Sequence, residues 1–184
     1  MIYFLGLDIS TSSTGVCLID ETGSVVFMNY VSLKGSVYEK ADQMKDFFSE
    51  MSKHISSGDH IKIYIEQNLQ AFRSGLSSTK TLFALANFNG IVSYIVRNQF
   101  HIDPVYLNVN SARKIVGCKI DRKDKSRSTK EKVLSWVTLQ NPDFEWPEKI
   151  LKSGPRKGQT ILEPGCFDIA DAYVIAIAGF RSDA

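Results

Sequence analysis

The sequence predicts an α/β domain on one mixed five-stranded sheet, three antiparallel strands and then parallel ones, flanked by helices. Three observations carry this. The first three apolar runs are joined by short polar turns, as an antiparallel meander requires. An amphipathic stripe then separates them from a fourth run, Ile61 to Glu66, which fits a crossover to a parallel strand. The order β-β-β-α-β-α-β-α runs on with no internal repeat or linker, so the 184 residues are read as one domain.

Tyr3 to Ile9 reads as the first strand and enters a polar turn, Ser10 to Gly15. Val16 to Ile19 and Val25 to Val31 follow, separated by Glu21-Thr22-Gly23-Ser24. Ala41, Met44, Phe48, Met51 and Ile55 recur at three and four residues, the period of a helix with one buried face. After Ile61 to Glu66 and a polar loop, Gln67 to Ser78, a long helix carries Leu82, Phe83, Leu85, Ala86, Ile91, Val92 and Ile95. Val105 to Val109 is the fifth strand. Asn110 or Ser111 is the expected cap of a short helix ending near Gly117. Ser128-Thr129-Lys130-Glu131 has capping-box spacing and opens a helix through Leu139. Asn141 to Cys166, with four prolines and three glycines, reads as an irregular insertion. Phe167 to Phe180 is an apolar last helix.

Composition narrows the function classes. Apolar residues at 43% and charged residues at 23% are globular values and argue against wholesale disorder. The N-terminal apolar stretch, Ile2 to Leu7, lacks a basic leader and is too short for a signal peptide. The run from Ala172 to Phe180 falls far below the roughly 20 residues that span a bilayer. A soluble, cytoplasmic protein is expected. Cys17, Cys118 and Cys166 form no C-x-x-C pair, which points to buried reduced thiols rather than disulfides or zinc. Charge is uneven: between Arg113 and Lys132 nine Lys/Arg face three Asp/Glu, while the rest of the chain is net acidic. Arg113, Lys114, Lys119, Arg122, Lys123, Lys125 and Arg127 are candidate nucleic-acid contacts, with a solvated loop as the alternative.

Four acids carry the chemistry. Asp8 interrupts the apolar strand Phe4 to Ile9, where an unneutralised carboxylate is costly. Glu66 ends the fourth strand, which the crossover places beside the first. Asp168 and Asp171, three apart on a helix, share one face of an otherwise apolar segment. Four carboxylates in one pocket raise one another's pKa values unless a cation is present. Oxygen donors without His or Cys suit Mg²⁺, or Mn²⁺ as a substitute. Two such ions about 3.5–4 Å apart can hold the attacking and leaving oxygens of a phosphodiester. Alone, Glu66 and Asp168 also have ordinary readings, as a strand-end charge and a first-turn helix acid.

These residues resemble the motifs of the RuvC family of Holliday junction resolvases, within the ribonuclease H-like superfamily. Leu5-Gly6-Leu7-Asp8-Ile9-Ser10 with Thr14-Gly15 resembles the first strand and turn. Ile65-Glu66-Gln67 and the Ala-rich helix reaching Asn89-Gly90 resemble the second motif, and Asp168-Ile169-Ala170-Asp171-Ala172 the last. The resemblance implies a homodimer that binds a four-way junction and nicks it symmetrically. It assigns Asp8, Glu66, Asp168 and Asp171 to two Mg²⁺ ions and sets Lys130 near the scissile phosphate. Leu69 stands about where the family has a bulky base-engaging loop residue; with Phe72 and Arg73 it is a candidate DNA contact. Lys149, Lys152, Arg156 and Lys157 make the long Asn141–Cys166 stretch basic, suited to phosphate contacts or to surface elaboration. Such an extended form fits a viral or phage-encoded member.

Rivals use the same residues. Gly6 to Ser13 also resembles the phosphate loop of actin-like ATPases and sugar kinases, but those bind ATP between two domains. A nuclease acting on RNA or on other branched DNA would need the same four acids. A non-catalytic junction-binding protein would not need them. The helix from Leu76 to Val96, with Ala84, Ala86 and Gly90, is the candidate dimer surface, with core packing as its alternative.

Overall fold

The computed structural model describes residues 1–67, 79–121 and 123–183. The elements run β1 (Ile2–Ile9), β2 (Ser13–Asp20), β3 (Val25–Ser32), α1 (Val37–Met51), β4 (His60–Glu66) and α2 (Thr79–Phe100). They continue with β5 (Val105–Leu107), α3 (Val109–Val116), α4 (Thr129–Gln140), β6 (Glu148–Ile150), β7 (Thr160–Leu162) and α5 (Gly165–Asp183). The main sheet has the order β3-β2-β1-β4-β5. Its first three strands pair antiparallel, and β1–β4 and β4–β5 pair parallel. This is the mixed five-stranded α/β sheet expected from the sequence.

The period-2 alternation of β1 splits the core into two layers. Leu5, Leu7 and Ile9, with Ile63 and Ile65 of β4, face Met44 and Phe48 of α1 and Phe88, Val92 and Val96 of α2. Phe4, Tyr64, Cys17 and Ile19 face the other way, onto α3, α4 and α5. Asp8 follows Phe4 and Gly6 in that alternation, so its face is the one covered by α5.

Helix α5 is buried almost all round, from Ile169 to Ala178, as befits a helix laid along the middle of a sheet. Its seat depends on two glycines. A Cβ on Gly6 would stand 2.3 Å from the Ala172 carbonyl oxygen, and one on Gly15 1.9 Å from that of Asp168. The helix backbone therefore rests directly on β1 and β2. Gly15 is the pairing partner of Asp8, so this close approach brings Asp168 to Asp8.

Local signals mostly hold, with differences. The Ser128–Glu131 capping box opens α4 as expected. The cap of α3 is Asn108, whose side chain accepts from the Asn110 and Ser111 amides, so β5 ends at Leu107. β2 begins at Ser13, inside the polar stretch read as a turn, because Thr14 and Gly15 pair with Ile9 and Asp8. Within Asn141–Cys166 the chain forms the antiparallel β6–β7 hairpin. Three-residue strands are too short to produce an alternation signal. Cys17, Cys118 and Cys166 are free and buried. Among the described residues no helix is long and apolar enough to cross a membrane.

Candidate active site

The four acids arrive from three elements. Leu7 pairs with Ile65 in the parallel β1–β4 ladder, so the next residues along, Asp8 and Glu66, stand side by side at the strands' C-terminal ends. Asp168 and Asp171 project from the first turns of α5. Asp8, Glu66 and Asp168 line a cavity of about 670 Å³ together with Lys130, Lys149, Tyr30, Ser32 and the Ser10–Ser13 turn. Asp171 is buried behind them, its side chain only 7% exposed.

Cations answer the acids from two sides. Arg113 of α3 donates from Nη2 to Asp171 Oδ1 at 2.9 Å. Lys130, in the first turn of α4, holds Nζ 3.6 Å from Asp168 Oδ1. Neither Asp8 nor Glu66 accepts a hydrogen bond from another described residue.

This leaves an acidic cluster short of counter-charge. Burial, then the charges of Glu66, Asp171 and Asp168, push Asp8 well above the usual carboxylate range. Burial and Asp171 push Glu66 up to about 7, against the opposing pull of Arg113 and Lys130. Asp171 is raised by burial, with Arg113 working against the shift. Near neutral pH the cluster therefore holds protons that ordinary carboxylates would have lost.

The donor chemistry fits a hard divalent cation: carboxylate oxygens, no sulfur or imidazole, and a charge deficit that a cation would cancel. The side-chain positions are not those of a closed ligand shell. Among the described residues no three of these groups stand together as one ion's ligands. Asp171 gives an oxygen to Arg113, and Asp168 faces Lys130. Ion entry would therefore require rotamer changes at the two aspartates.

The linkage has a definite sign. Carboxylates with raised folded pKa values stabilise the fold at low pH, and that stability is lost as pH rises through the folded values. In EDTA the melting temperature should fall between about pH 5 and pH 8, the window spanned by Glu66, by roughly 5 °C or more. Mg²⁺ should restore more stability at pH 8 than at pH 5. Thermal melts across this range check both; a flat profile would show that the cluster is not strained.

The remaining site residues divide. Lys114, Lys119, Lys123, Lys125 and Arg127 are exposed, as a nucleic-acid face requires. Arg113 differs from them: its side chain is 16% exposed and turned inward to Asp171, where it acts as an internal counter-ion. Its place three residues before buried Val116 was the available signal. Leu69, Phe72, Arg73 and Arg122 lie outside the described residues. Sequence reasoning missed Lys149 as part of this cavity, because it lies on the unforeseen hairpin.

No known protein-family pattern matches the chain. No curated protein matches it either. Solved structures do. RuvC of Thermus thermophilus, in complex with Holliday junction substrate, aligns at TM-score 0.63 and 13% identity over 100% of this chain and 96% of that one. A second Thermus thermophilus RuvC structure aligns at TM-score 0.59 and 13% identity, covering 98% and 95%. At that identity the likeness is one of architecture: over its whole length, this chain is RuvC-like in fold.

Proposed function

We propose that this protein is a Mg²⁺-dependent endonuclease that resolves four-way DNA junctions by symmetric phosphodiester hydrolysis, acting as a homodimer. The observation that carries the reading is the convergence of four carboxylates from β1, β4 and α5 beside an exposed basic segment. Binding phosphates alone calls for cations, not for a buried acidic cluster. Asp8, Glu66, Asp168 and Asp171 would hold two ions, Mg²⁺ or Mn²⁺. When bound, these would supply Lewis acidity to both oxygens of the displaced phosphodiester.

The chain's own groups do the rest. Lys130 at the cavity rim places a positive charge beside Asp168, where the charge developing on phosphate would be stabilised. Arg113 holds Asp171 from behind. Lys114, Lys119, Lys123, Lys125 and Arg127 would track the DNA backbone and set its position without reading sequence. For the dimer, α2 offers an exposed stripe, Phe83, Ala86, Gly90 and Tyr94, opposite its buried Phe88, Val92 and Val96. A symmetric junction calls for two such sites related by a two-fold axis.

The test is cleavage of labelled four-way junction, Y-fork and linear duplex with Mg²⁺ or with EDTA. Paired nicks in opposing junction strands that require metal are expected, with linear duplex left uncut. Equal cutting of forks would reduce the activity to a general branch nuclease, and no DNA cutting would overturn it. A monomer by sedimentation at micromolar concentration would remove the dimer.

A further inference from the structure

Beyond the acid cavity lies a second group of positive charges that the proposed chemistry does not use. The β6–β7 hairpin pairs Glu148 with Leu162 and Ile150 with Thr160. Its root is tied to the catalytic side of the molecule. The Glu163 amide donates to the Pro147 carbonyl at 2.8 Å, and Cys166 Sγ, in the first turn of α5, donates to the same carbonyl at 3.3 Å. Lys149 on β6 lines the acid cavity and stands 3.6 Å from Glu163 Oε2.

The far end of the hairpin is shaped by backbone hydrogen bonds. Leu151 N donates to Gln159 O at 3.0 Å, Gly158 N to Leu151 O at 2.8 Å, and Lys157 N to Gly154 O at 3.1 Å. This folded tip, residues 151–159, contains no acid and exposes Lys152, Arg156 and Lys157. Among the described residues none of the three is in an ion pair.

We propose that the tip binds a duplex arm of the DNA substrate, with Lys152, Arg156 and Lys157 on the phosphates flanking the strand held in the acid cavity. The inference rests on reading that cavity as a DNA site. Two three-residue strands set the tip about 10 Å from the hairpin root. One turn of duplex DNA spans about 34 Å, more than three times that distance, so an arm running from the cavity along the hairpin would meet the tip within its first turn. Uncompensated cations in open solvent act by releasing counterions, and that needs no pocket around them. Lys149 at the cavity and the three cations of the tip belong to the same hairpin, so its fold fixes the tip relative to the cavity.

The experiment compares wild type with the Lys152→Gln, Arg156→Gln, Lys157→Gln triple variant. Binding to a fluorescent junction is measured in EDTA over a series of salt concentrations, with thermal melts to show that the variant is folded. The dependence of log K on log salt should become shallower by about 2 to 3 units, since each phosphate contact contributes about 0.9. A junction with arms trimmed to a few base pairs should bind both proteins alike. An unchanged slope on long arms, with wild type binding well, overturns the hairpin's role alone. Wild type that binds but never cuts removes the nuclease reading and leaves the slope comparison valid. Wild type that does not bind DNA overturns both.

Discussion

Replacing Asp8 by Asn should reduce metal-dependent cleavage by more than about 100-fold, since losing even an outer partner of a metal ligand typically costs about 10–100-fold. The same change should raise the melting temperature of the metal-free protein. Asp8 is buried beside three other carboxylates, which together with burial hold its pKa far up. Asn keeps the shape and removes the charge that burial opposes, so strain falls as function is lost. A residue serving only the core would show the reverse, with stability and activity declining together. The measurement is a nicking rate with Mg²⁺ alongside a melt in EDTA at pH 8. Mg²⁺ should stabilise wild type more than the variant. A variant that cuts junctions normally would remove Asp8 from the chemistry.

Gly15→Ala should be the most damaging glycine-to-alanine change among the described residues. Its Cβ would meet the carbonyl oxygen of Asp168 at 1.9 Å and the carbonyl carbon at 2.2 Å. Both are backbone atoms of α5, so no side-chain rotation relieves the clash, and the helix has to lift from the sheet. Overpacking of this kind costs about 3 kcal/mol or more. For a chain of this size that is roughly 6–12 °C in melting temperature. Activity should fall further than stability, because a displacement of about 1 Å at a reacting centre can cost about 100-fold. Melts and nicking rates on the purified variant test this; a melting temperature within 2 °C of wild type would show that the seat of α5 is looser than the structure has it.

Most of the scaffold and the acids were legible because their signals are local or periodic. Alternation in Phe4–Ile9 and Ile61–Glu66, with a crossover helix between, was enough to put Asp8 beside Glu66. Spacing of three put Asp168 and Asp171 on one helix face, and Ser128 to Glu131 announced its own capping box. Scattered cysteines were correctly read as buried thiols.

What the tertiary structure alone decided concerns contacts between distant segments. Arg113 and Asp171 are 58 residues apart, and their pairing depends on how α3 and α5 rotate against each other over the sheet. In sequence Arg113 is one more cation in a basic run. Gly6 and Gly15 look like ordinary strand and turn glycines until α5 is laid across them, when the missing Cβ atoms become the reason that Asp168 can reach Asp8. The β6–β7 hairpin was hidden among prolines and glycines because strands of three residues carry no period. Periodicity and capping act over about four residues and are written in the chain; the rotation and close approach of packed elements arise only when those elements meet.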